Sequence, residues 1–293
     1  MRIHITPEIG RIRLAKLKPH HLQRLYAQKL AEGLSPTTVN AIHVVLNRAL
    51  RQALRWELVP QNVAALVDPP RPVRPKPNPL TTDEITRFRS AVVNHRHRNF
   101  WELLLTTGMR FGEAAALQWT DVDLAGRSLM VRHTLTRSRG RSLSLAEPKT
   151  PQSRRVVPLP KSAVLALERQ RIQNREMQLL SGGRWNSNDW AFPSTVGTPL
   201  REAHVLKAFH RVLERTGIDK HRMHDLRSSY ATNLAALGHH PRVAQQLLGH
   251  GRTETTMLFY TAVVPSALRD AADSLDANLP DLAESATDET LAS

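Results

Sequence analysis

The chain has 293 residues, 41% of them hydrophobic, and a formal net charge of +15 at pH 7. Its length allows one large domain or two of ordinary size, and the absence of cysteine excludes disulfides, thiolate nucleophiles and zinc–cysteine sites. No apolar run is long enough for a transmembrane helix and no signal peptide is visible, so we expect a cytoplasmic protein without a membrane partner.

The positive charge lies outside the C-terminal end of the chain. Residues 266–293 hold seven acidic residues against Arg269, a net charge of −6, so the remaining residues carry +15 + 6 = +21. A basic surface can serve solubility alone, but an excess of this size favours a polyanion, and nucleic acid is the first candidate. The acidic end has leucines at loose helical spacing and is predicted either to dock on another surface or to remain partly disordered.

Residues 1–68 are predicted to form a small helical domain with two helices between 19 and 56. The second helix opens at Ser35-Pro36, an N-cap residue followed by proline at the first helical position. Its apolar stripe at helical spacing consists of Val39, Ile42, Leu46, Ala49, Leu50 and Ala53. The other faces carry candidates for contact with a phosphate backbone, namely Arg48, Arg51 and Arg55.

Residues 69–79 are predicted to form a basic linker. In DPPRPVRPKPNP, residues 68–79, six of the twelve positions are proline, which excludes a helix or an inner strand and predicts an extended, semi-rigid spacer. Arg71, Arg74 and Lys76 make this spacer basic and are further candidates for contact with nucleic acid.

Residues 80–265 are predicted to form a second domain, followed by the acidic tail 266–293. A capping-box pattern at Thr81 opens a helix over about 82–95, and the next helix runs from about 98 through Gly108. Residues 128–160 have strand composition in SLMVRHTLT and SRRVVPLP. Helices are then predicted over 161–180, 199–216, 224–237, 241–248 and 253–260. The fold class is therefore mainly α with a small antiparallel β-sheet, in two domains.

Three segments of the second domain place polar side chains beside glycines or helix starts. Gly108 and Gly112 bracket Arg110 in TTGMRFGE, and Glu113 is close enough in sequence to orient the guanidinium group. The other candidates are His224 and Arg227 in HDLRSS, and His250 and Tyr260 in LLGHGRTETTMLFY. Each also has a structural interpretation, as a surface arginine at a helix junction, a hydrogen-bonded histidine or a core aromatic residue.

Taken together, these residue types suit transfer of a phosphodiester. Two arginines can hold phosphate oxygens as negative charge develops, and a histidine can move a proton near neutral pH. A tyrosine hydroxyl becomes a nucleophile when cations and a base activate it. We predict no metal and no cofactor, because the sequence has no carboxylate cluster, no GxxxxGK[ST] phosphate loop and no histidine pair with further ligands at useful spacing.

The segments TGMRFGE, HDLRSSYAT and LLGHGRTETTMLFY, in this order and spacing, resemble the catalytic domain of tyrosine recombinases of the phage integrase family. The resemblance extends from Leu80 to about Pro265. EPKTPQSRRVVPLP resembles the strand–turn–strand element that carries the family's catalytic lysine, here Lys149. The helices before the linker resemble the rear part of the family's helical core-binding domain.

The resemblance implies a site-specific recombinase or integrase that cleaves and rejoins double-stranded DNA without ATP or metal. Tyr260 would attack phosphorus, giving a 3′-phosphotyrosyl link and a free 5′ hydroxyl. His224 would assist proton transfer to or from the tyrosine, and Lys149 would protonate the leaving 5′ oxygen.

The remaining family positions would bind the phosphate. Arg110 and Arg227 would hold the scissile phosphate and stabilise the transition state, with Glu113 supporting Arg110. His250 would donate a hydrogen bond to a phosphate oxygen.

The resemblance also implies partners. We expect a homotetramer on DNA, in which the acidic tail contacts a neighbouring protomer, and accessory DNA-bending proteins as further partners. The chain starts after the point that matches the family's early core-binding helices, so a second hypothesis is a truncated, catalytically defective DNA-binding relative. The complete set of candidate catalytic residues favours the working recombinase. Either protein would act in the cytoplasm, on the nucleoid.

Overall fold

The computed structural model describes residues 2–72, 77–137, 143–147, 154–186, 188–249, 251 and 253–260. The chain divides into two compact units, Met1–Lys76 and Pro77–Ser293, with the boundary inside the proline-rich segment. Helices dominate and the strands are antiparallel, which confirms the predicted fold class. Within the described ranges, no helix is long and apolar enough to cross a membrane.

The first unit contains the helices α1 (Arg2–Ile9), α2 (Pro19–Ala31) and α3 (Pro36–Arg55). The hydroxyl of Ser35 accepts a hydrogen bond from the Thr38 amide at 3.2 Å and caps α3 where the sequence predicted. The buried side chains of α3 are Val39, Ile42, His43, Leu46, Leu50 and Ala53. Ala49, which we predicted in this stripe, is exposed because it lies at the edge of the buried arc.

The second unit begins with α4 (Thr82–Ala91), α5 (Arg98–Thr107) and the short α6 (Phe111–Ala115). The strands are β1 (Val122–Asp123), β2 (Ser128–Val131), β3 (Thr134–Arg137), β4 (Leu143–Ala146) and β5 (Arg155–Pro158). Helices α7 (Lys161–Ser181), α8 (Glu202–Arg215), α9 (Asp225–Ala236), α10 (Pro241–Leu248) and α11 (Thr253–Tyr260) follow. The predicted helix boundaries agree with these to within a few residues.

The described strands form two small antiparallel sheets where we expected one. The first has the order β1-β2-β5, and the second is the β3-β4 pair. In the first sheet Leu129 lies opposite Val157, and Val131 lies opposite Arg155. The second sheet packs against α6. Gly112 lies so close to β3 that a side chain at this position would meet the hydroxyl of Thr134 at 2.6 Å.

Helix α5 forms the centre of the second unit. Its side chains Phe100, Trp101, Leu103 and Leu104 are almost fully buried, and the helix packs against both α7 and α9. Burial on this scale contributes about 1.5–3 kcal/mol for each large apolar side chain. The core therefore holds the end of α5 firmly, and the candidate residues of TTGMRFGE follow directly from it.

Candidate active site

The corner between α5 and α6 depends on Gly108. This residue ends α5 in the left-handed conformation with φ 63°, which favours glycine. A side chain at Gly108 would collide with the ring of Tyr230 and meet Leu248 at 2.8 Å. The corner is therefore packed directly against α9 and the end of α10, where the ring of Tyr230 fills the space beside Gly108.

Arg110 follows this corner as the N-cap of α6, and Glu113 holds it. One carboxylate oxygen of Glu113 accepts a hydrogen bond from Arg110 Nη1 at 2.6 Å, and the other accepts one from the Arg110 amide at 3.0 Å. The Glu113 side chain is 3% exposed, whereas that of Arg110 is 39% exposed. A buried carboxylate thus orients a guanidinium group that remains accessible.

Arg227 lies on α9 and is buried. Its Nη1 donates to the carbonyl of Gly108 at 2.7 Å, and its Nη2 donates to the carbonyl of Leu248 at 2.6 Å. The guanidinium group therefore joins the α5–α6 corner to the end of α10. Since a guanidinium group has five N–H donors, these two bonds leave others for a ligand.

Arg155 on β5 belongs to the same cluster, although we predicted no role for it. Its Nη2 donates to Glu113 at 3.0 Å, and the side chains of this ion pair are 7% and 3% exposed. The alternation in β5 could have indicated this position, because Arg155 and Val157 share the buried side while Val156 faces outwards. In the sequence, Arg155 is one of several basic residues near a turn.

Three consecutive carbonyl groups at the end of α10 each accept a hydrogen bond from a different arginine. The bonds join Arg155 Nε to Leu247 at 2.8 Å, Arg227 Nη2 to Leu248 at 2.6 Å and Arg110 Nη2 to Gly249 at 3.3 Å. Gly249 ends the helix in the left-handed conformation, with φ 63°. The cations satisfy carbonyl groups that a helix end leaves without partners, and they suit the negative end of the helix dipole.

The cluster has an excess of positive charge among the described residues. Three guanidinium groups surround the single carboxylate of Glu113, which gives 3 − 1 = +2. Burial, together with the charge of Arg110, lowers the pKa of Arg227 to about 9, so this group stays protonated at neutral pH. The nearby carboxylate of Asp225 is paired with Arg222 at 2.7 Å. The arrangement therefore favours an anion beside Arg110.

His224 is the N-cap of α9, next to this charge. Partial burial of its ring and the positive charge of Arg227 lower its pKa, while Asp225 opposes the shift. A lowered pKa keeps the imidazole neutral at pH 7, and the neutral ring can accept a proton.

Tyr260 is the last residue of α11, and its hydroxyl donates a hydrogen bond to the carbonyl of His239 at 2.7 Å. Its ring packs against an apolar cluster from α9, α10 and α11 that includes Leu248 and Phe259. Burial raises the pKa of Tyr260 above the ordinary value. Within the described residues, no hydrogen bond joins Tyr260 to the arginine cluster.

Four predicted site residues fall outside the described residues, namely Lys149, His250, Arg74 and Lys76, and so does the predicted acidic tail 266–293. Lys149 follows β4 in sequence, and His250 directly follows Gly249, whose carbonyl Arg110 binds.

The predicted phosphate contacts on the first unit lie on one surface. Arg48, Arg51 and Arg55 are exposed and share the side of α3 opposite its buried stripe, since they are spaced by three and four residues. Arg71, at the start of the linker, is exposed as well.

In the part of the chain that the structure describes, no group of three histidine, aspartate or glutamate side chains could hold a metal ion.

A sequence model of the phage integrase family matches residues 78–266. Among curated proteins, a tyrosine recombinase XerC-like protein of Caldanaerobacter subterraneus subsp. tengcongensis is 27% identical over 286 residues, which cover 92% of this chain and 73% of that protein. The matched range includes every candidate catalytic position.

Solved structures share the fold. The Tn1549 transposon integrase in complex with transposon right end DNA gives a TM-score of 0.78 at 23% identity, covering 94% of this chain and 90% of that chain. The lambda integrase tetramer bound to a Holliday junction gives a TM-score of 0.59 at 20% identity, covering 82% of this chain and 66% of that chain.

Proposed function

Because the chain belongs to the phage integrase family and is a tyrosine-type site-specific DNA recombinase, we propose that it cleaves and rejoins DNA strands through a 3′-phosphotyrosyl intermediate on Tyr260. The reaction needs neither ATP nor a metal ion, since the bond between tyrosine and phosphate conserves the energy of the broken phosphodiester. The same family membership makes double-stranded DNA the substrate.

The excess charge at the arginine cluster carries this proposal. A phosphodiester has one negative charge and gains more as five oxygens surround phosphorus in the transition state. Arg110 and Arg227 each have N–H donors beyond those used within the protein, and their guanidinium groups are held in place before a ligand arrives. Donors fixed in advance around developing charge contribute strongly to catalysis.

The chemical step balances with the side chains of this chain. The Tyr260 oxygen forms a bond to phosphorus, and the bond from phosphorus to the 5′ oxygen breaks. His224 accepts the tyrosine proton, and Lys149 donates a proton to the leaving 5′ oxygen. Attack by the 5′ hydroxyl of another strand reverses these transfers and releases the tyrosine.

Two further residues complete the phosphate site. His250 donates a hydrogen bond to a phosphate oxygen, a role supported by its position directly after the Gly249 carbonyl that Arg110 binds. Glu113 keeps Arg110 in place and does not contact DNA, because its side chain is buried beneath the arginines.

Tyr260 must exchange its hydrogen bond before it reacts. In the absence of DNA its hydroxyl donates to the His239 carbonyl, a neutral acceptor that does not lower the pKa of a phenol. DNA binding brings the hydroxyl to the arginine cluster, where positive charge favours the phenolate form.

The first unit and the linker hold the duplex. The exposed arginines of α3 and Arg71, with Arg74 and Lys76, contact phosphates, and such contacts fix the register of a protein on DNA. Four protomers assemble on two DNA segments, as in the lambda integrase tetramer on a Holliday junction, and the acidic tail contacts a neighbouring protomer. Accessory DNA-bending proteins assist this assembly, which takes place on the nucleoid in the cytoplasm.

Trapping the covalent intermediate tests the proposal. The substrates are duplexes from the DNA that flanks the gene, and they are nicked beside candidate cleavage positions. After cleavage, the short fragment with the free 5′ hydroxyl dissociates, so the strand cannot be rejoined. We expect wild-type protein to form a complex with DNA that resists denaturant, and Tyr260→Phe to bind the same DNA without forming it. Tyr230→Phe is the matched control and should still attach.

Two outcomes contradict the proposal. Attachment that persists in Tyr260→Phe would exclude this residue as the nucleophile. DNA binding without attachment by the wild-type protein would instead support the catalytically defective relative.

A further inference from the structure

Arg155 is a buried charged residue that has no role in the proposed chemical step. Its guanidinium group contacts two parts of the site at once, Glu113 through Nη2 and the carbonyl of Leu247 through Nε. Burying a charge is costly unless it is paired and hydrogen-bonded, and both conditions are met here by residues that surround the phosphate site.

The first contact determines how Glu113 meets Arg110. The carboxylate presents Oε1 to Arg110 Nη1 at 2.6 Å, while Oε2 accepts both the Arg110 amide at 3.0 Å and Arg155 Nη2 at 3.0 Å. Arg155 and the Arg110 amide thus share Oε2, while Oε1 is left for the Arg110 guanidinium group. With both oxygens engaged, the carboxylate cannot rotate away from the guanidinium group that it orients.

The second contact determines the path of the chain before His250. Arg155 binds the carbonyl of Leu247, and a side chain at Gly249 would lie 3.0 Å from Arg155 Nη1. The guanidinium group therefore packs directly against the left-handed turn at Gly249. No larger residue fits there without moving the arginine.

We propose that Arg155 is a positioning residue of the recombinase, which orients Arg110 through Glu113 and fixes the turn before His250 through the Leu247 carbonyl. This inference rests on the proposed function, because it assigns Arg155 to the phosphate site formed by Arg110. Arg155 acts through its bonds to Glu113 and to the Leu247 carbonyl, and not as a ligand of the phosphate.

The pKa of the Glu113 carboxyl links Arg155 to the pH dependence of cleavage, which an arginine that only stabilised the fold would not change. Burial alone would raise the pKa of the Glu113 carboxyl, but the hydrogen bond and charge of Arg155 and the charge of Arg110 hold the pKa below its usual value. The charged groups around Glu113 are Arg110 beside it, Arg155 from β5 and Arg227 from α9. Removing Arg155 leaves burial less opposed, so the pKa of Glu113 rises.

The test is a comparison of Arg155→Gln, Glu113→Gln and the double variant in single-turnover cleavage at saturating DNA. Displacing a catalytic group by about 1 Å costs on the order of 100-fold in rate, and we expect a loss of that size for Arg155→Gln. The double variant should lose far less than the product of the single losses, because the effect of Arg155 on Arg110 passes through Glu113. Arg154→Gln is the matched control, since its exposed side chain pairs only with the exposed Glu147 among the described residues.

The pH dependence separates positioning from stability. In Arg155→Gln the acid limb, to which His224 contributes in both proteins, should gain a contribution from Glu113 and move to higher pH, because Glu113 becomes protonated and releases Arg110 at a higher pH than in the wild type. Arg155→Lys should recover part of the rate, since one ammonium group can reach Glu113 or the Leu247 carbonyl but cannot replace both bonds. If thermal unfolding shows that Arg155→Gln is not folded, Arg155→Lys provides the same rate and pH comparison.

A DNA-free measurement distinguishes this inference from the proposed function. Carbon NMR of labelled glutamate carboxyl groups, assigned with Glu113→Gln, should show a higher pKa for Glu113 in the Arg155 variant whether or not the protein cleaves DNA. Wild-type rates with an unmoved acid limb, or losses that simply multiply in the double variant, would overturn the positioning role. Failure of the wild type to attach to DNA, with the NMR shift present, would instead overturn the proposed function alone.

Discussion

The hydroxyl of Tyr260 donates a hydrogen bond to the backbone carbonyl of His239, at 2.7 Å, in the turn between α9 and α10. Burial raises the pKa of Tyr260, so the phenol stays protonated at neutral pH. The arginine cluster, in contrast, has its guanidinium groups in place without DNA. We infer that the phosphate site is built in advance and that Tyr260 is the component that DNA must bring to it.

The His239 contact should contribute little to stability. Tyr260→Phe removes one partly exposed hydrogen bond and leaves the ring packing intact, so we expect the free energy of unfolding to fall by about 0.5–1.5 kcal/mol. Urea denaturation without DNA measures this change. A much larger loss would mean that the hydroxyl is a structural group, and Tyr260→Phe would then be a poor chemical probe.

Substitution of Gly108 should damage both stability and cleavage. Gly108→Ala places a side chain against Tyr230 and Leu248 at a left-handed backbone position. Gly238→Ala is the control, because Gly238 has φ 74° but open space around it, so it isolates the backbone cost of about 1–2 kcal/mol. Overpacking should cost Gly108→Ala about 1–3 kcal/mol more. Equal losses for the two variants in urea denaturation would show that the corner is not tightly packed.

Arg227 should not tolerate lysine. A single ammonium group cannot reproduce the two bonds to the carbonyls of Gly108 and Leu248 and also bind a phosphate. Loss of one donor to a developing oxyanion typically costs about 2.7–4 kcal/mol, so we expect cleavage by Arg227→Lys to fall by roughly 100- to 1,000-fold. Arg222→Lys can keep one of the two side-chain bonds from this exposed residue to Asp225, and it should cleave near the wild-type rate. Comparable losses in both variants would argue against a specific role for Arg227.

The pH dependence of cleavage should report His224. Partial burial and the charge of Arg227 lower its pKa, so the ring stays neutral below the ordinary value of about 6.5. As a general base, His224 loses activity when the pH falls through this lowered pKa, and the acid limb of the single-turnover rate should lie below pH ~6.5. His224→Gln should remove its contribution to that limb. An unchanged profile in His224→Gln would exclude it as the proton acceptor.

The arginines of α3 should contribute to DNA affinity through phosphates. Replacing Arg48, Arg51 and Arg55 by glutamine should weaken binding about equally across DNA sequences. It should also make the salt dependence shallower, by about 0.9 in the logarithmic slope for each lost phosphate contact. Arg175→Gln on α7 is the control. An unchanged slope in the triple variant would show that these three arginines do not contact DNA phosphates.

Local sequence signals predicted most of the helices, although not α1 or α6. Ser35 caps α3 with its own hydroxyl, and Thr81 forms the expected capping box with Glu84, because such contacts involve residues three apart. The β3-β4 pair and the β1-β2-β5 sheet are less local. Strand composition indicated the segments, but the division into two sheets depends on which strands pack against α6 and the core.

The candidate residues came from motifs, whereas their arrangement could not be predicted. The Arg110–Glu113 contact spans three residues and was expected. Arg155 meets Glu113 across 42 residues, and three arginines from separate elements converge on the end of α10. That convergence needs the left-handed turn at Gly249 and the packing of β5, α6 and α9 around it, which no single segment encodes.

The central claim is that the Tyr260 oxygen becomes bonded to phosphorus. Digestion of the trapped protein–DNA complex with protease and nuclease, followed by mass spectrometry, identifies the residue that keeps the 3′ nucleotide. The account predicts the nucleotide on Tyr260, in the peptide that contains TTMLFY. A nucleotide on any other residue, or attached through its 5′ phosphate, would contradict it.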